Sequence, residues 1–167
     1  MRIALLLEAA IILIAAGSCS NDLTGFSAMM GRYDVEFGLP SSYQYGSMSP
    51  VWENELGQKG NKYTAYCTDV DEKGYGTNKK SMLLEVRIYN ESQTESLDAL
   101  KEADAISERT PGEYSEYESI YRYNIMEKSD INYRAAAWVN DRTLIKITSL
   151  NFDLDEFKCI LDSIKLR

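Results

Sequence analysis

The side chains that could carry covalent or acid–base chemistry in this chain are cysteines and carboxylates, because its 167 residues include no histidine. Without histidine there is no Ser-His-Asp or Cys-His arrangement and no histidine-containing zinc site. Six clustered carboxylates could in principle do acid–base work: Glu113, Glu116, Glu118, Asp153, Asp155 and Glu156. Nothing in the pattern indicates burial that would separate their pKa values, so we predict charged surface there. We therefore predict a protein that is not an enzyme, with no catalytic residue, metal or cofactor.

Two of the three cysteines lie in the body of the chain, at Cys67 and Cys159. They could form a disulfide in an oxidising compartment. Helical periodicity places Cys159 opposite the apolar stripe of its helix, so the bond would require Cys67 to reach the outer side of that helix. In the alternative, Cys67 is a small core residue and Cys159 is a free surface thiol.

The third cysteine, Cys19, follows a stretch with the layout of a secretory signal. Arg2 precedes an apolar run that is broken only by Glu8, and small residues occupy 15–18. The uninterrupted apolar part, 9–16, is much shorter than the roughly 20 residues of a membrane-spanning helix. We predict a signal peptide at 1–18.

The small residues before Cys19, Ala16-Gly17-Ser18, make this site resemble a bacterial lipobox. The resemblance implies cleavage before Cys19 and lipidation of its sulfur, so that acyl chains, at about 0.8 kcal/mol per buried CH₂, hold the protein on a membrane. We expect a membrane-anchored protein of the cell envelope, on its periplasmic or outer face. Ordinary secretion, with Cys19 incidental, is the alternative.

The charge of the chain disfavours nucleic acid as a partner. Its 26 acidic and 18 basic residues give a net charge of −8, which repels phosphate backbones. Residues 33–167 are enough for one domain, and 19–32 read as a lipid-anchored tether. In an equally weighted alternative, Phe26, Met29 and Met30 are the first residues that dock onto the domain.

Alternation of apolar and polar residues predicts six strands, at 33–40, 62–70, 81–89, 119–127, 131–139 and 143–150. Turn-forming residues at 71–78 join the second and third strands into a hairpin. The tight-turn pair Asn140-Asp141 joins the last two strands, which belong to a meander of three. The acidic stretch 113–118 is predicted to be a solvated connection.

Two helices are predicted, at 92–109 and 153–164. Each begins with a capping box, formed by Ser92 with Glu95 and by Asp153 with Glu156. Apolar residues recur on one face of each helix, and the sheet is the large apolar surface on which those faces could be buried. The predicted fold is an α+β domain with an antiparallel β-sheet covered by two helices.

This order of elements resembles the PsbP/Mog1-like group, which includes DcrB-type bacterial lipoproteins. The resemblance rests on the opening strand 35–40 (VEFGLP), on the helix 97–106 after strand 81–89, and on the closing helix 157–164. It implies a non-enzymatic domain that binds or supports other proteins in an envelope, thylakoid lumen or similar setting.

Aromatic residues in loops are the remaining indication of binding, because tyrosine and tryptophan are favoured at interfaces. The candidate surface consists of Tyr43, Tyr45, Trp52, Tyr114 and Tyr117. We expect a non-catalytic binding or accessory module with an envelope protein as its partner, a glycan having no separate support. The alternatives are a structural subunit or inhibitor of an envelope complex, or a small secreted enzyme.

Overall fold

The computed structural model of the chain describes residues 23–40, 46–93, 113–127 and 132–167. These ranges contain eleven strands, one α-helix and a short 3₁₀ turn at Gly57–Lys59. The first six strands are β1 (Leu23–Met30), β2 (Tyr33–Pro40), β3 (Gly46–Met48), β4 (Trp52–Glu55), β5 (Gly60–Val70) and β6 (Gly76–Tyr89). The others are β7 (Glu113–Tyr117), β8 (Tyr123–Glu127), β9 (Asn132–Asn140), β10 (Thr143–Leu150) and β11 (Lys165–Leu166), with helix α1 (Leu154–Ser163) before β11.

Eight strands form a large antiparallel sheet in the order β3-β5-β6-β10-β9-β8-β7, and β4 pairs with β5 beside β3. The long β5–β6 hairpin is paired from Gly60 and Tyr89 to Val70 and Gly76. Strands β8, β9 and β10 form a meander. The predicted hairpin and the predicted meander are both confirmed.

The other three strands form a small sheet in the order β1-β2-β11. The β1–β2 turn lies against the large sheet and requires glycine. Gly31 has a φ of 65°, and a Cβ there would lie 2.7 Å from Ile88 Cδ1 and 2.8 Å from the ring of Tyr63. A larger residue would therefore be strained and would also push the small sheet away.

Tyr33 attaches the end of the small sheet to the β9–β10 turn. Its hydroxyl lies 3.0 Å from Thr143 Oγ1, and it accepts hydrogen bonds from Asn140 Nδ2 and Arg32, each at 3.1 Å. Partial burial alone would raise the pKa of this hydroxyl, but the hydrogen bonds with these neighbours lower it below its ordinary value.

One face of the large sheet, which we call the inner face, is covered by α1 and the small sheet. All three layers contribute buried apolar side chains to a single core. The contributions of the large sheet include Ala65, Cys67, Met82, Leu84, Val86, Ile125, Ala135, Ala137, Ile145 and Ile147. The small sheet contributes Val35, Phe37 and Leu39 of β2, as its alternating pattern predicts.

Helix α1 begins with the predicted capping box. Asp153 Oδ1 accepts the Glu156 N–H at 2.7 Å, and Glu156 Oε2 accepts the Asp153 N–H at 3.2 Å. The ring of Phe157 stacks on that of Tyr133, with 5.6 Å between centroids. Phe157, Ile160 and Leu161 are buried, so the apolar stripe predicted from the sequence does face the sheet.

The predicted fold class is wrong. The described chain is mostly β, with two sheets and one helix, whereas we expected a single sheet covered by two helices. The difference arises at β1 and β2. We expected 33–40 to be a strand of the main sheet and 19–32 to be a tether, but β1 and β2 pair with each other as a hairpin. Together with β11 it forms a separate sheet, and this small sheet shares the inner face with α1.

The predicted tether is also corrected, because 23–30 is strand β1. Met30 is fully buried, and Phe26 stacks on Phe37 with ring centroids 5.6 Å apart. The alternative that this segment docks onto the domain therefore holds for Phe26 and Met30, whereas Met29 is 62% exposed. The stretch predicted as a solvated connection, 113–118, contains strand β7 at the edge of the large sheet.

Several predictions concern residues outside the described ranges. They are the signal peptide 1–18, lipidation of Cys19, and nearly all of the helix 92–109. Among the helices in the ranges that the structure describes, none is both long and apolar enough to cross a membrane.

Candidate binding surface on the outer face

The five aromatic residues predicted to form a binding surface are not brought together in the described structure. Tyr43 and Tyr45 lie outside the described residues. Trp52 lies in β4, at one edge of the large sheet, whereas Tyr114 and Tyr117 lie in β7, at the opposite edge. Trp52 and the β7 tyrosines therefore belong to different surfaces.

Trp52 belongs to a patch with Tyr66 and Leu83, which we call the outer patch. Directly paired residues share a face of a sheet, and so do residues two apart on one strand. Trp52 is opposite Thr64, and Tyr66 is opposite Leu83. Thr64 and Tyr66 are two apart on β5, so the patch crosses β4, β5 and β6 on the face opposite the core.

The side chains of the outer patch are accessible. Trp52 is 65% exposed, Leu83 is 38% exposed and Tyr66 is 36% exposed. Their neighbours on the inner face, Ala65 and Leu84, are fully buried. The exposure of Tyr66 and Leu83 is therefore that of one face of two well-paired strands, whereas Trp52 lies on the short strand β4, all four residues of which are exposed.

Tyr66 makes one polar contact through its hydroxyl and two through its backbone. Its hydroxyl donates to Asn78 Oδ1 at 3.1 Å. Its backbone N–H donates to Ser49 Oγ at 3.0 Å, and its carbonyl accepts the Ser49 N–H at 2.8 Å. A ring held in this way loses little conformational entropy when a partner covers it.

A charged pair borders the outer patch on the same face. Arg87 Nε lies 2.6 Å from Glu85 Oε1, and Glu85 is directly opposite Thr64 in the register. The side chains of this pair are about one quarter exposed or less. An apolar centre with paired charges beside it is the usual layout of a protein-binding surface.

The large sheet has a second apolar cluster on this outer face, nearer its centre. Its members are Tyr89, Ala136 and Leu144, with Leu56 and Trp138 packed against them. The rings of Tyr89 and Trp138 are 6.0 Å apart at 41°. Because Tyr89, Ala136 and Leu144 are buried, they offer little surface to a partner, whereas the outer patch is accessible.

Tyr117 has a structural position. Its hydroxyl donates to Asp162 Oδ2 at 2.7 Å, and Lys158 Nζ lies 5.6 Å from the centre of its ring. Burial, and then the hydrogen bond and charge of Asp162, raise the pKa of Tyr117. These contacts tie β7 to α1. Tyr114 is half-buried on β7, opposite Met126.

The tip of the β5–β6 hairpin carries two carboxylates that are used within the tip. Asp71 Oδ1 accepts the N–H groups of Lys73 and Tyr75, both at 2.9 Å. Asp69 accepts from Thr77 and from the Lys80 backbone. Partial burial alone would raise the pKa of Asp69, but these hydrogen bonds lower it. The carboxylates thus stabilise the turn.

The six carboxylates considered for acid–base work have structural partners or lie at the surface. Lys80 Nζ lies 2.8 and 2.7 Å from the two carboxylate oxygens of Glu156 and 5.2 Å from the centre of the Phe152 ring. Within the described ranges, no group of three or more histidine, cysteine, aspartate or glutamate side chains is arranged to hold a metal ion.

The two cysteines in the body of the chain do not pair with each other. Cys67 is a buried free thiol, and its burial raises its pKa to about 12. Cys159, on α1, is disulfide-bonded. The predicted alternative in which Cys67 is a small core residue is therefore correct for Cys67. Cys159 is neither bonded to Cys67 nor the free surface thiol of that alternative.

Comparison with known proteins adds no relative: no protein family, no curated protein and no solved structure matches the chain. The resemblance to the PsbP/Mog1-like group therefore stays a prediction. The chemistry of the chain itself is the remaining guide to its function.

Tyr66 and Leu83 were not among the predicted binding residues, although the sequence carries a signal for them. Residues 81–88 alternate between the two faces, and the outward positions 85 and 87 carry Glu and Arg as expected. Leu83 is apolar at an outward position of the same strand. Tyr66 likewise faces away from Ala65 and Cys67. An apolar residue at an outward position of a regular strand, where polar residues are expected, indicates a surface that contacts a partner.

Proposed function

We propose that this protein is a non-catalytic binding or accessory module that works outside the cytoplasm and contacts a protein partner through the outer patch. The observation that supports this most is Trp52, which is 65% exposed beside two further exposed apolar side chains on a regular sheet face. Folding gives no reason for tryptophan there, because nothing in the described structure covers most of its surface.

The residue types favour an interface. Tryptophan and tyrosine are enriched among the few residues that carry most of the binding energy in protein complexes. Complete burial of an aromatic side chain removes on the order of 150–250 Å² from water with little loss of rotamers, and a partner would cover the 65% of Trp52 and the 36% of Tyr66 that are still exposed. A partner that covered Trp52, Tyr66 and Leu83 together would gain from all three side chains at once.

A protein partner is favoured over a glycan by Leu83. Leu83 is aliphatic, and such a side chain gains most from contact with apolar surface, which a protein core residue offers and a hydroxylated sugar ring offers poorly. Two charged residues on this face, Glu85 and Arg87, are paired with each other. A structural subunit or an inhibitor of an envelope complex would bind its partner through the same surface. Identifying the partner would distinguish these two roles from that of an accessory module.

Placement outside the cytoplasm is supported by the signal-like layout of 1–18. It is supported as well by the disulfide at Cys159, because such bonds persist mainly in oxidising compartments. The cell envelope and secretion are both consistent with these two observations.

The test is site-specific photo-cross-linking with the full-length protein made in its native host. A benzophenone amino acid replaces Leu83, opposite Tyr66, while Trp52 is kept, and cells are irradiated before extraction. We expect one discrete protein adduct that is lost when Trp52→Ala is added, because the tryptophan contributes the largest apolar contact.

The matched control places the same cross-linker at Tyr75, which is 70% exposed at the hairpin tip. This position should give no such adduct. The proposal fails if position 83 gives no adduct, if the adduct persists in Trp52→Ala, or if position 75 gives the same adduct.

A further inference from the structure

The free edge of strand β1 leads to an inference that is independent of the proposed function. All eight residues of β1 pair with β2, in a register without a shift. Strand β1 is the first strand of the small sheet, and within the described ranges no strand pairs with its other edge. We infer that this edge pairs with the β1 edge of a second copy of the chain, in antiparallel orientation, so that the two small sheets join into one.

Strand β1 lacks the features that protect the other sheet edges. Native proteins block exposed edges with charged residues, proline, bulges or very short strands. Strand β7 has five residues, with Glu113 and Glu116, and β4 at the opposite edge has four, with Glu53 and Glu55. Strands β3 and β11 have three and two residues. The eight residues of β1 include no charge and no proline, so nothing in β1 itself opposes pairing with a further strand.

The side chains of β1 fit those of a second β1 strand. In a symmetric contact, the same strand of both copies pairs with itself about a two-fold axis. With this axis at Ser27, Phe26 lies opposite Ala28 of the second copy, and Met29 lies opposite Gly25 of the second copy. Large side chains are then opposite small ones on both faces of the sheet. Met29 is 62% exposed and Phe26 is half-buried, so both would gain from being covered.

The net charge of the chain does not oppose this contact, because the charges near β1 are balanced. The small sheet, its β1–β2 turn and the last residue carry two acidic and three basic side chains: Asp34, Glu36, Arg32, Lys165 and Arg167. Glu36 is paired in the register with Lys165, and its Oε2 lies 3.1 Å from Arg167 Nη2.

The acidic side chains nearest the two-fold axis are also kept apart by the strands between them. Glu36 is opposite Ser27 in the β1–β2 register. In the joined sheet, two β1 strands separate the Glu36 side chains of the two copies, a distance of about 14 Å at roughly 4.8 Å per strand. This distance exceeds the Debye length of about 8 Å at physiological ionic strength, so their repulsion is largely screened.

The test is sedimentation velocity of the purified protein, as its native host processes it, over a series of concentrations. We expect a monomer at low concentration and a dimer as the concentration rises, because a contact between two edge strands is small and exchanges readily. A protein that stays monomeric up to its limit of solubility overturns the inference.

The variant Ser27→Lys tests which strand forms the contact. Ser27 is exposed, and two lysines opposite each other across the axis repel, so the dimer should dissociate at least about fivefold more readily. Its thermal unfolding, measured where the wild type is monomeric, should be unchanged. The matched control Ser115→Lys makes the same change at an exposed position of edge strand β7 and should leave the dimer intact. Equal weakening by both variants, or none by Ser27→Lys, contradicts the inference.

Two further measurements separate this contact from one through the outer patch. Trp52→Ala should dimerise like the wild type, because Trp52 lies on the large sheet. Amide hydrogen exchange should slow in β1 as the concentration rises, but not in β4 or β7. Loss of the dimer in Trp52→Ala, or protection that appears elsewhere than in β1, would place the contact on another surface and overturn the inference.

Discussion

Strands β5 and β6 present two surfaces built from alternate residues of the same stretches of chain. On the inner face, Ala65 and Leu84 are fully buried beneath the other layers of the core. On the outer face, their sequence neighbours Tyr66 and Leu83 are more than one third exposed. Backbone pairing is common to both faces, so the two surfaces differ in what covers them.

Apolar character therefore has two separate causes in these strands. Inward residues are apolar because the core requires it, and each one removed should cost stability. Outward residues that lie outside the buried cluster of Tyr89, Ala136 and Leu144 could be polar without loss to the fold, as Glu85 and Arg87 on the same strand are. An apolar residue at such a position is better explained by contact with something outside the described domain.

The largest expected effect compares the adjacent residues Leu84 and Leu83. Leu84→Ala should lower the free energy of unfolding by about 3–5 kcal/mol, because it leaves a cavity in a packed core. Leu83→Ala should change it by less than about 1 kcal/mol, because its side chain is already partly in water. Urea unfolding followed by circular dichroism measures both.

These two variants share one substitution and one strand, so differences in β-propensity largely cancel. Similar losses in both would mean that Leu83 is a packing residue in solution, and the distinction between the two faces would fail. A loss of stability in Leu83→Ala but not in Leu84→Ala would show that the core lies on the face that carries Leu83.

A second difference between the faces concerns the pH dependence set by Cys67. Burial raises its pKa from 9.0 to about 12, so the folded protein holds the thiol proton more tightly than the unfolded chain does. This contribution to stability is complete below pH 9 and is lost as the pH rises towards 12. The slope is up to about 1.4 kcal/mol per pH unit.

The measurement is the free energy of unfolding between pH 8 and pH 10.5 for the wild type and for Cys67→Ala. Lysines and tyrosines titrate in both proteins, so the difference between the two slopes isolates the thiol. Equal slopes, together with rapid alkylation of Cys67 in the folded protein, would show that the inner face is open to water.

The third effect is smaller and opposite in sign. Tyr123 is fully buried, and its hydroxyl has no hydrogen-bond partner in the part of the chain that the structure describes. Tyr123→Phe should therefore raise the free energy of unfolding by about 1 kcal/mol, since the phenyl ring keeps its packing and an unsatisfied buried group is removed. Thermal and urea unfolding measure the gain.

The matched control is the same substitution on the outer face, at Tyr66. Its hydroxyl donates to Asn78 at 3.1 Å and is partly in water. Tyr66→Phe should leave stability unchanged or lower it slightly. A loss of stability in Tyr123→Phe would indicate that its hydroxyl is hydrogen-bonded in solution.

Local elements of this fold could be predicted from the sequence because their signals are local. The capping box of Asp153 and Glu156 and the apolar stripe beside it define α1 within a few residues. Alternation in 81–88 identifies both faces of β6. Such patterns depend on the geometry of one helix or strand and need no knowledge of its partners.

The layer arrangement could not be predicted, because it depends on contacts between distant segments. Strand β1 has small residues at several positions, so its own alternation is weak, and its pairing with β2 is settled by tertiary packing such as that of Phe26 on Phe37. The outer patch is likewise formed by register. Trp52 and Tyr66 share a face because Trp52 pairs with Thr64, which is two residues from Tyr66 on β5. The spacing of Trp52 and Tyr66 in the sequence does not specify this pairing.

The smallest expected change in stability tests the outer patch itself. Trp52→Ala should alter the free energy of unfolding by no more than about 0.5 kcal/mol, because the side chain is mostly in water.

The protein contains one other tryptophan, Trp138, which packs against Tyr89. The variant should therefore lose the component of tryptophan emission that iodide quenches readily, while the shielded component remains. A loss of more than about 1 kcal/mol would make Trp52 part of the packed fold, and the outer face would then resemble the inner one. With stability kept, loss of the partner adduct in this variant measures binding alone.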